Sequence, residues 1–276
     1  MRVFVAGGTG VVGRPLVAAL LERGHDVAAS TRRTGSLQAL EALGARAVVM
    51  DGLDATSVRR AIAGYRPEVV VNQMTALAEP STDYGRWLAV TNELRRDGTR
   101  ILMAEELVLG TDGVEGVVLR YGFLYGPGTA IGPGGDIATA VQAGELPIVG
   151  AGAGHSPFVH VDDAVAATLP AIEKDAQGIY NVVDDDPAPQ ADWLPYLADL
   201  LGGPRPRQVS EEEATQRLGP QSVYYGNQLR PAGNARAKTD LGMTLAYPSW
   251  RQGFPKVFAE YSNQQVPGSQ SLASAP

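Results

Sequence analysis

Seven residues near the start of this 276-residue chain, Gly7-Gly8-Thr9-Gly10-Val11-Val12-Gly13, constrain its fold more than any others. They stand between two periodic stretches. Val3-Phe4-Val5-Ala6 is a continuous apolar run, the pattern of a parallel strand covered on both faces. Leu16, Val17, Leu20 and Leu21 then recur at helical spacing, and Gly24 supplies a stop. Val27-Ala28-Ala29 reads as a second strand that ends in Ser30-Thr31-Arg32-Arg33. Strand, glycine turn, helix and strand fit in about 30 residues, the size of a βαβ unit. Glycines at positions 7, 10 and 13 let bare backbone N–H groups and a helix N-terminus approach a pyrophosphate. A glycine triplet alone says little. With a strand directly before it and a helix directly after, it reads as a dinucleotide-binding turn.

The end of the second strand bears on which dinucleotide. A carboxylate about 20 residues beyond the glycines would hold a ribose 2′-hydroxyl. This chain has Thr31, Arg32 and Arg33 there instead. Guanidinium groups grip a 2′-phosphate as a bidentate fork, so the residues favour NADP(H) over NAD(H).

Further along, Leu37 to Leu43 reads as a helix, Ala47 to Met50 as a strand, Val58 to Ala63 as a helix and Val69-Val70-Val71 as a strand. This alternation predicts an α/β fold built on a doubly wound parallel sheet. Ligands of such sheets lie beyond the carboxyl ends of the strands. The residues from Gly8 to Val12, Ser30 to Arg33, Asp51 to Leu53, and Met74 with Thr75 are therefore expected to meet in one crevice. Trp87 to Leu109 reads as a long helix, Gly116 to Tyr121 as a strand, Asp136 to Ala143 as a helix and Tyr180 to Val183 as a late strand. Asp162 or Asp163 would cap a helix beginning at Ala164. From Pro204 the composition shifts to Pro, Gln and charge, which suits a smaller helical lobe.

Composition removes several classes. Net charge is −7, and no basic run exceeds a pair, which argues against nucleic acid as a partner. There is no cysteine, and His25, His155 and His160 show no metal-ligand spacing, so no metal is expected. No apolar run approaches about 18 residues and the chain enters a strand at once, which predicts no membrane span and a cytoplasmic location.

The chain resembles the extended short-chain dehydrogenase/reductase superfamily, in its NAD-dependent epimerase/dehydratase family. The matching residues are GGTGVVG at 7–13, the turn at Asp51, Asn92 with Gly98-Thr99, LRYGFLYGPGT at 119–129, LPIVGAGAGHSPFVHVDD at 146–163, GIYNVVDDDP at 178–187 and NARAKTDLG at 234–242. The resemblance implies a Rossmann-type sheet with a C-terminal substrate-binding lobe. It implies a dinucleotide domain over 1–130 with about 156–186, a lobe over 131–155 and 187–262, and a flexible tail over 263–276. It also implies pyrophosphate at Val11–Val12, adenine between Asp51 and Gly52, and nicotinamide beside Tyr121 and Gly122. The expected activity is that of an NADP-dependent oxidoreductase or epimerase on a small hydroxyl- or carbonyl-bearing substrate, and a homodimer is compatible with it. Tyr125, His155, Tyr224 and Tyr225 are the candidates for the substrate pocket.

One departure outweighs these agreements. Such enzymes use a Tyr-x-x-x-Lys pair in which the lysine lowers the tyrosine pKa and the tyrosine moves a proton while hydride moves. Tyr84 is followed four residues on by Leu88, Tyr121 by Tyr125, Tyr180 by Asp184, Tyr225 by Leu229 and Tyr247 by Arg251. The lysines are Lys174, Lys238 and Lys256, all late. Thr99 and Leu119 are joined by one helix where the family has more than a βαβ unit, so on the order of 50 residues are missing. Glu105-Glu106 is the expected join. Either the protein lacks this segment and only binds the dinucleotide, as a sensor or scaffold, or the sequence as written skips it. A hole in a buried parallel sheet is costly against marginal stability, which favours the second reading. That reading predicts consecutive Cα atoms much more than about 3.8 Å apart between Met103 and Val108.

Overall fold

A computed structural model of the chain describes residues 1–75, 97, 116–174 and 176–264. The expected Trp87–Leu109 helix, Asn92, Gly98-Thr99, the join at Glu105-Glu106 with its Cα spacing, and the tail from 265 onward lie outside the described residues. The chain divides into two compact units. The first takes Met1–Arg120, Asp162–Val182 and Asn234–Thr244, and the second takes Tyr121–Val161, Val183–Gly233 and Leu245–Pro276. Residues 121–130, expected with the first unit, thus pack in the second, and 234–244 pack in the first.

The first unit opens as β1 (Arg2–Ala6), α1 (Gly13–Glu22), β2 (Asp26–Thr31), α2 (Leu37–Glu41), β3 (Arg46–Val49), α3 (Ala55–Tyr65) and β4 (Val69–Asn72). The strands are parallel in the order β3-β2-β1-β4, with Phe4 opposite both Ala28 and Val70. β1 is continuous apolar sequence because both its faces are covered: Val3, Phe4, Val5 and Ala6 are fully buried. Phe4, Ala28, Met50, Val58 and Ile62 form one core cluster with α3. Asp54 starts α3 by accepting a hydrogen bond from the Thr56 N–H at 2.9 Å.

The rest of the first unit is a separate ladder, β5 (Val117–Tyr121) against β10 (Gly178–Val182). Among the described residues no strand joins β5 to β4. The helix α5 (Val161–Glu173) begins at Val161, not Ala164, so Asp162 and Asp163 sit in its first turn rather than cap it. Their charge there suits the positive helix end. The Asn234–Leu241 motif folds onto β10. The Arg236 guanidinium lies 4.7 Å over the Tyr180 ring, and Lys174 Nζ donates to the Leu241 carbonyl at 2.7 Å.

The second unit is assembled from short pairings. β6 (Phe123–Tyr125) runs parallel to β9 (Phe158–His160), β7 (Ile148–Val149) parallel to β12 (Gln208–Val209), and β8 (His155–Ser156) antiparallel to β11 (Ala188–Pro189). Around them lie α4 (Asp136–Gln142), α6 (Gln190–Leu201), α7 (Glu211–Leu218), α8 (Pro220–Val223) and α9 (Trp250–Gln264). Tyr125, Phe158, Trp193, Leu194, Trp250 and Phe254 belong to its core.

Candidate functional site

The glycine turn is stitched to the strand ends on both sides. Gly7 N–H donates to Ser30 Oγ at 3.2 Å and Gly8 N–H to the Ser30 carbonyl at 2.9 Å. Gln73 N–H donates to the Ala6 carbonyl at 2.9 Å, and Met74 N–H to Asn72 Oδ1 at 3.0 Å. Gly7 has φ +87°, and a Cβ there would lie 2.9 Å from the Gln73 carbonyl, so only glycine fits. A Cβ on Gly13 would overlap the Gly7 carbonyl. Gly10 N–H closes the turn on the Gly7 carbonyl at 3.1 Å. No side chain caps α1, and its first turn holds no acid, so the positive end of the helix is left uncompensated beside Thr9, Val11 and Val12.

The neighbouring strand ends converge on this turn. Met50 N–H donates to the Thr31 carbonyl at 3.0 Å, which brings the Asp51 turn next to the end of β2. Thr31 is buried and its Oγ1 accepts from the Arg33 N–H at 3.2 Å, while Arg32 and Arg33 are exposed. Asp51 is exposed and accepts from the Leu53 N–H at 3.0 Å, and Gly52 is buried. Thr75 follows Met74 at the surface. The structure therefore brings Gly7–Gly13, Thr31–Arg33, Asp51–Gly52 and Met74–Thr75 to one edge of the sheet. Ser30, expected in the crevice with Thr31 to Arg33, also holds the glycine turn through both its backbone and its side chain.

Tyr121 closes β5 and is half-buried. Gly122 has a packing reason to be glycine, because a Cβ there would overlap the Pro157 carbonyl and lie 3.1 Å from Val183 Cγ1. Tyr125 does not line a pocket. It is fully buried, edge-on to Phe158, His160 and Phe254, because β6 turns that ring into the second unit's core. His155 N–H donates to the Leu229 carbonyl at 2.8 Å, which docks the π-helical turn Tyr224–Gln228, carrying Tyr224 and Tyr225, on β8.

A further group escaped the sequence reading. Asp184, in the run Asp184-Asp185-Asp186, reads as solvated turn chemistry but is 2% exposed. Its carboxylate accepts from the Trp250 N–H at 2.9 Å and the Asp186 N–H at 3.2 Å, fastening the start of α9. Burial pushes its pKa up to about 7, against the downward pull of those two N–H donors. Among the described residues no group of three His, Asp or Glu side chains can hold a metal ion, and no helix is long and apolar enough to cross a membrane.

Two family models match the chain, one described as NAD(P)H-binding over residues 7–110 and one as the NAD dependent epimerase/dehydratase family over residues 99–183. Among curated proteins, the chain is 39% identical to a 3-diazoavenalumate denitrifying reductase of Streptomyces sp, covering 92% of this chain and 99% of that one. That alignment runs over 304 positions, whereas 92% of 276 residues is about 254, so about 50 positions of the relative face a gap here. Among solved structures, a Thermotoga maritima UDP-glucose 4-epimerase with UDP-glucose matches with a TM-score of 0.72 at 18% identity, over 96% of this chain and 100% of the other. A human epimerase family protein with NADPH matches with a TM-score of 0.59 at 20% identity, over 93% and 99%.

Proposed function

Because the chain belongs to the NAD-dependent epimerase/dehydratase family of extended short-chain dehydrogenases/reductases, we propose that it is a cytoplasmic, NADP-dependent reductase whose hydride acceptor requires no protein proton donor. One observation supports this best: the dinucleotide turn is complete, while none of the ten tyrosines has a lysine four residues on. Bound NADPH supplies a hydride. A carbonyl that receives it becomes an alkoxide and needs a proton, which the family's tyrosine supplies. A cationic acceptor does not. The net conversion R–N₂⁺ + H⁻ → R–H + N₂ balances without any proton, and the Streptomyces relative is named for reductive loss of nitrogen from a diazo compound.

In this reading the residues divide the work. The N–H groups around Val11 and Val12 and the uncapped start of α1 face the pyrophosphate, with Gly7, Gly10 and Gly13 leaving it room and Thr9 flanking it. Arg32 and Arg33, beside Thr31, hold the 2′-phosphate. Asp51 and Gly52 border the adenine. Met74 and Thr75 border the nicotinamide side in the first unit. His155, Tyr224 and Tyr225, all in the second unit, are the substrate-binding candidates.

The test is isotope transfer from 4-deuterated NADPH to an arenediazonium probe, run beside a panel of ketones and aldehydes and beside a Gly13→Val control. Deuterium in the arene, with one nitrogen released per NADPH oxidised and only background in the control, is the expected result. Efficient carbonyl reduction would overturn the acceptor assignment. The missing tyrosine–lysine pair also favours a second reading, a protein that binds NADP(H) without turnover. NADPH binding with no transfer to any probe would select it.

A further inference from the structure

Resting on the reading above that His155, Tyr224 and Tyr225 bind the substrate, we propose that the Tyr224–Tyr225 turn is a preorganised platform for a neutral or cationic aryl ring. The rings form a continuous series from core to surface. Trp193 and Phe158 are 5.4 Å apart between centroids, Phe158 and Phe123 6.2 Å, Phe123 and Tyr225 5.6 Å, and Tyr225 and Tyr224 5.3 Å. Exposure rises along it. Phe158 is fully buried, Phe123 and Tyr225 are half-buried, and Tyr224 is 47% exposed. The last pairs meet edge to face, so each ring is fixed by the one beneath it.

The backbone that presents these rings is tied down more firmly than a covering loop requires. Tyr224–Gln228 is a π-helical turn, a geometry that recurs at functional sites. Gly154 N–H donates to the Gly226 carbonyl at 3.1 Å, Ala153 N–H to Asn227 Oδ1 at 3.2 Å, and Leu229 N–H to the Tyr224 carbonyl at 2.8 Å. A Cβ on Gly226 would lie 2.7 Å from Val149 Cβ, so the turn sits flush against β7. A rigid aromatic surface binds a flat ring with little loss of conformational freedom.

Two neighbours define the ligand further. His155 Nδ1 must donate to the Ala153 carbonyl, 2.9 Å away, because a carbonyl only accepts. In the neutral ring Nε2 then carries a lone pair, an acceptor for a substrate hydroxyl. Glu211 accepts from Asn227 Nδ2 at 2.5 Å and begins a helix turn with Glu212 and Glu213. Carboxylates beside the turn oppose a diphosphate ligand and tolerate a neutral or cationic one, and tyrosine faces attract cations.

The test uses two unreactive probes of matched size, 4-methylphenol and trans-4-methylcyclohexanol, titrated by ligand-observed NMR into the full chain saturated with NADPH. The phenol is expected to bind about three- to tenfold tighter than its saturated counterpart, the worth of one to two aromatic contacts. Tyr224→Ala and Tyr225→Leu should remove that preference, Tyr225→Phe should keep it, and all three should bind NADPH as the parent does. Equal affinity for the two probes in the parent, a preference that survives both Tyr224→Ala and Tyr225→Leu, or UDP-glucose binding more tightly than the phenol would overturn the proposal. NADPH affinity measured on the same samples separates the two ideas. Loss of NADPH binding strikes the reductase reading, whereas tight NADPH binding with no aryl preference strikes the platform alone.

Discussion

β1 and β5 are apolar strands of the same unit, yet they live in different surroundings. Every residue of β1 after Arg2 is fully buried, whereas Val118 in β5 is 51% exposed, and Ile179 in its neighbour β10 is 44% exposed. Their neighbours explain this. β1 lies between β2 and β4, while β5 has β10 alone among the described residues. Strands of a parallel sheet are stable when covered on both faces and paired on both edges. The half of the sheet around the glycine turn thus has β1 paired on both edges. The other half, β5 with β10, has no further strand partner among the described residues.

The largest predicted effect lies in the turn after β10. Asp184, two residues beyond β10, has a folded pKa of about 7 against about 3.9 in the unfolded chain. The folded protein binds this proton more tightly than the unfolded one. Its contribution is therefore fully present below about pH 4 and is lost as pH rises to about 7. In urea denaturation, Asp184→Asn should gain on the parent by up to about 4 kcal/mol between pH 4 and pH 7. A stability gap that stays constant over this range would show that Asp184 does not titrate as argued.

The second effect belongs to the half around the glycine turn. Gly13→Val places side-chain atoms where the Gly7 carbonyl already lies. NADPH affinity, followed by its fluorescence, should fall on the order of 100-fold or more as the turn is pushed off α1. Retained affinity would mean that the turn is not the cradle.

The two halves also differ in how far sequence reveals them. β1, α1, β2 and the alternation through β4 are legible because each is a local pattern: a buried run, a helical stripe, a glycine where the chain must turn. The convergence of Arg32, Asp51 and Met74 follows from topology alone. Asp184 is not legible, since three consecutive aspartates look solvated and only the packing of Trp250 buries the first. Tyr125 misleads in the opposite sense. It follows the strand expected to reach the nicotinamide, but strand alternation after Gly122 turns its ring into a core shared with Phe158 and Phe254. The π-helical turn at Tyr224 carries no periodic signal at all.

A matched pair of truncations measures the sheet comparison itself. Val5→Ala removes two methyl groups from a fully buried site and should cost about 1.5–3 kcal/mol. Val118→Ala removes the same atoms from a half-exposed face and should cost less than about 0.5 kcal/mol. Similar costs in thermal or urea unfolding would mean that β5 is as well covered as β1, and the contrast between the halves would collapse.

The smallest effect asks what the half around the glycine turn is built to hold. Thr31 lies buried at the end of β2, and the two arginines after it reach solvent. If they recognise a phosphate on the adenosine ribose, removing either should weaken NADPH by about tenfold, the worth of one charge-assisted contact. NADH carries no such phosphate, so its affinity should barely move in Arg32→Ala or Arg33→Ala. Because both side chains are exposed, the NADPH penalty should also shrink as salt rises from about 0.05 M to 0.5 M. Equal losses for the two dinucleotides would mean that the arginines act on the shape of the turn rather than on the phosphate. The cofactor preference would then have to come from the Asp51 turn, which the Met50 N–H bond to Thr31 holds beside the end of β2.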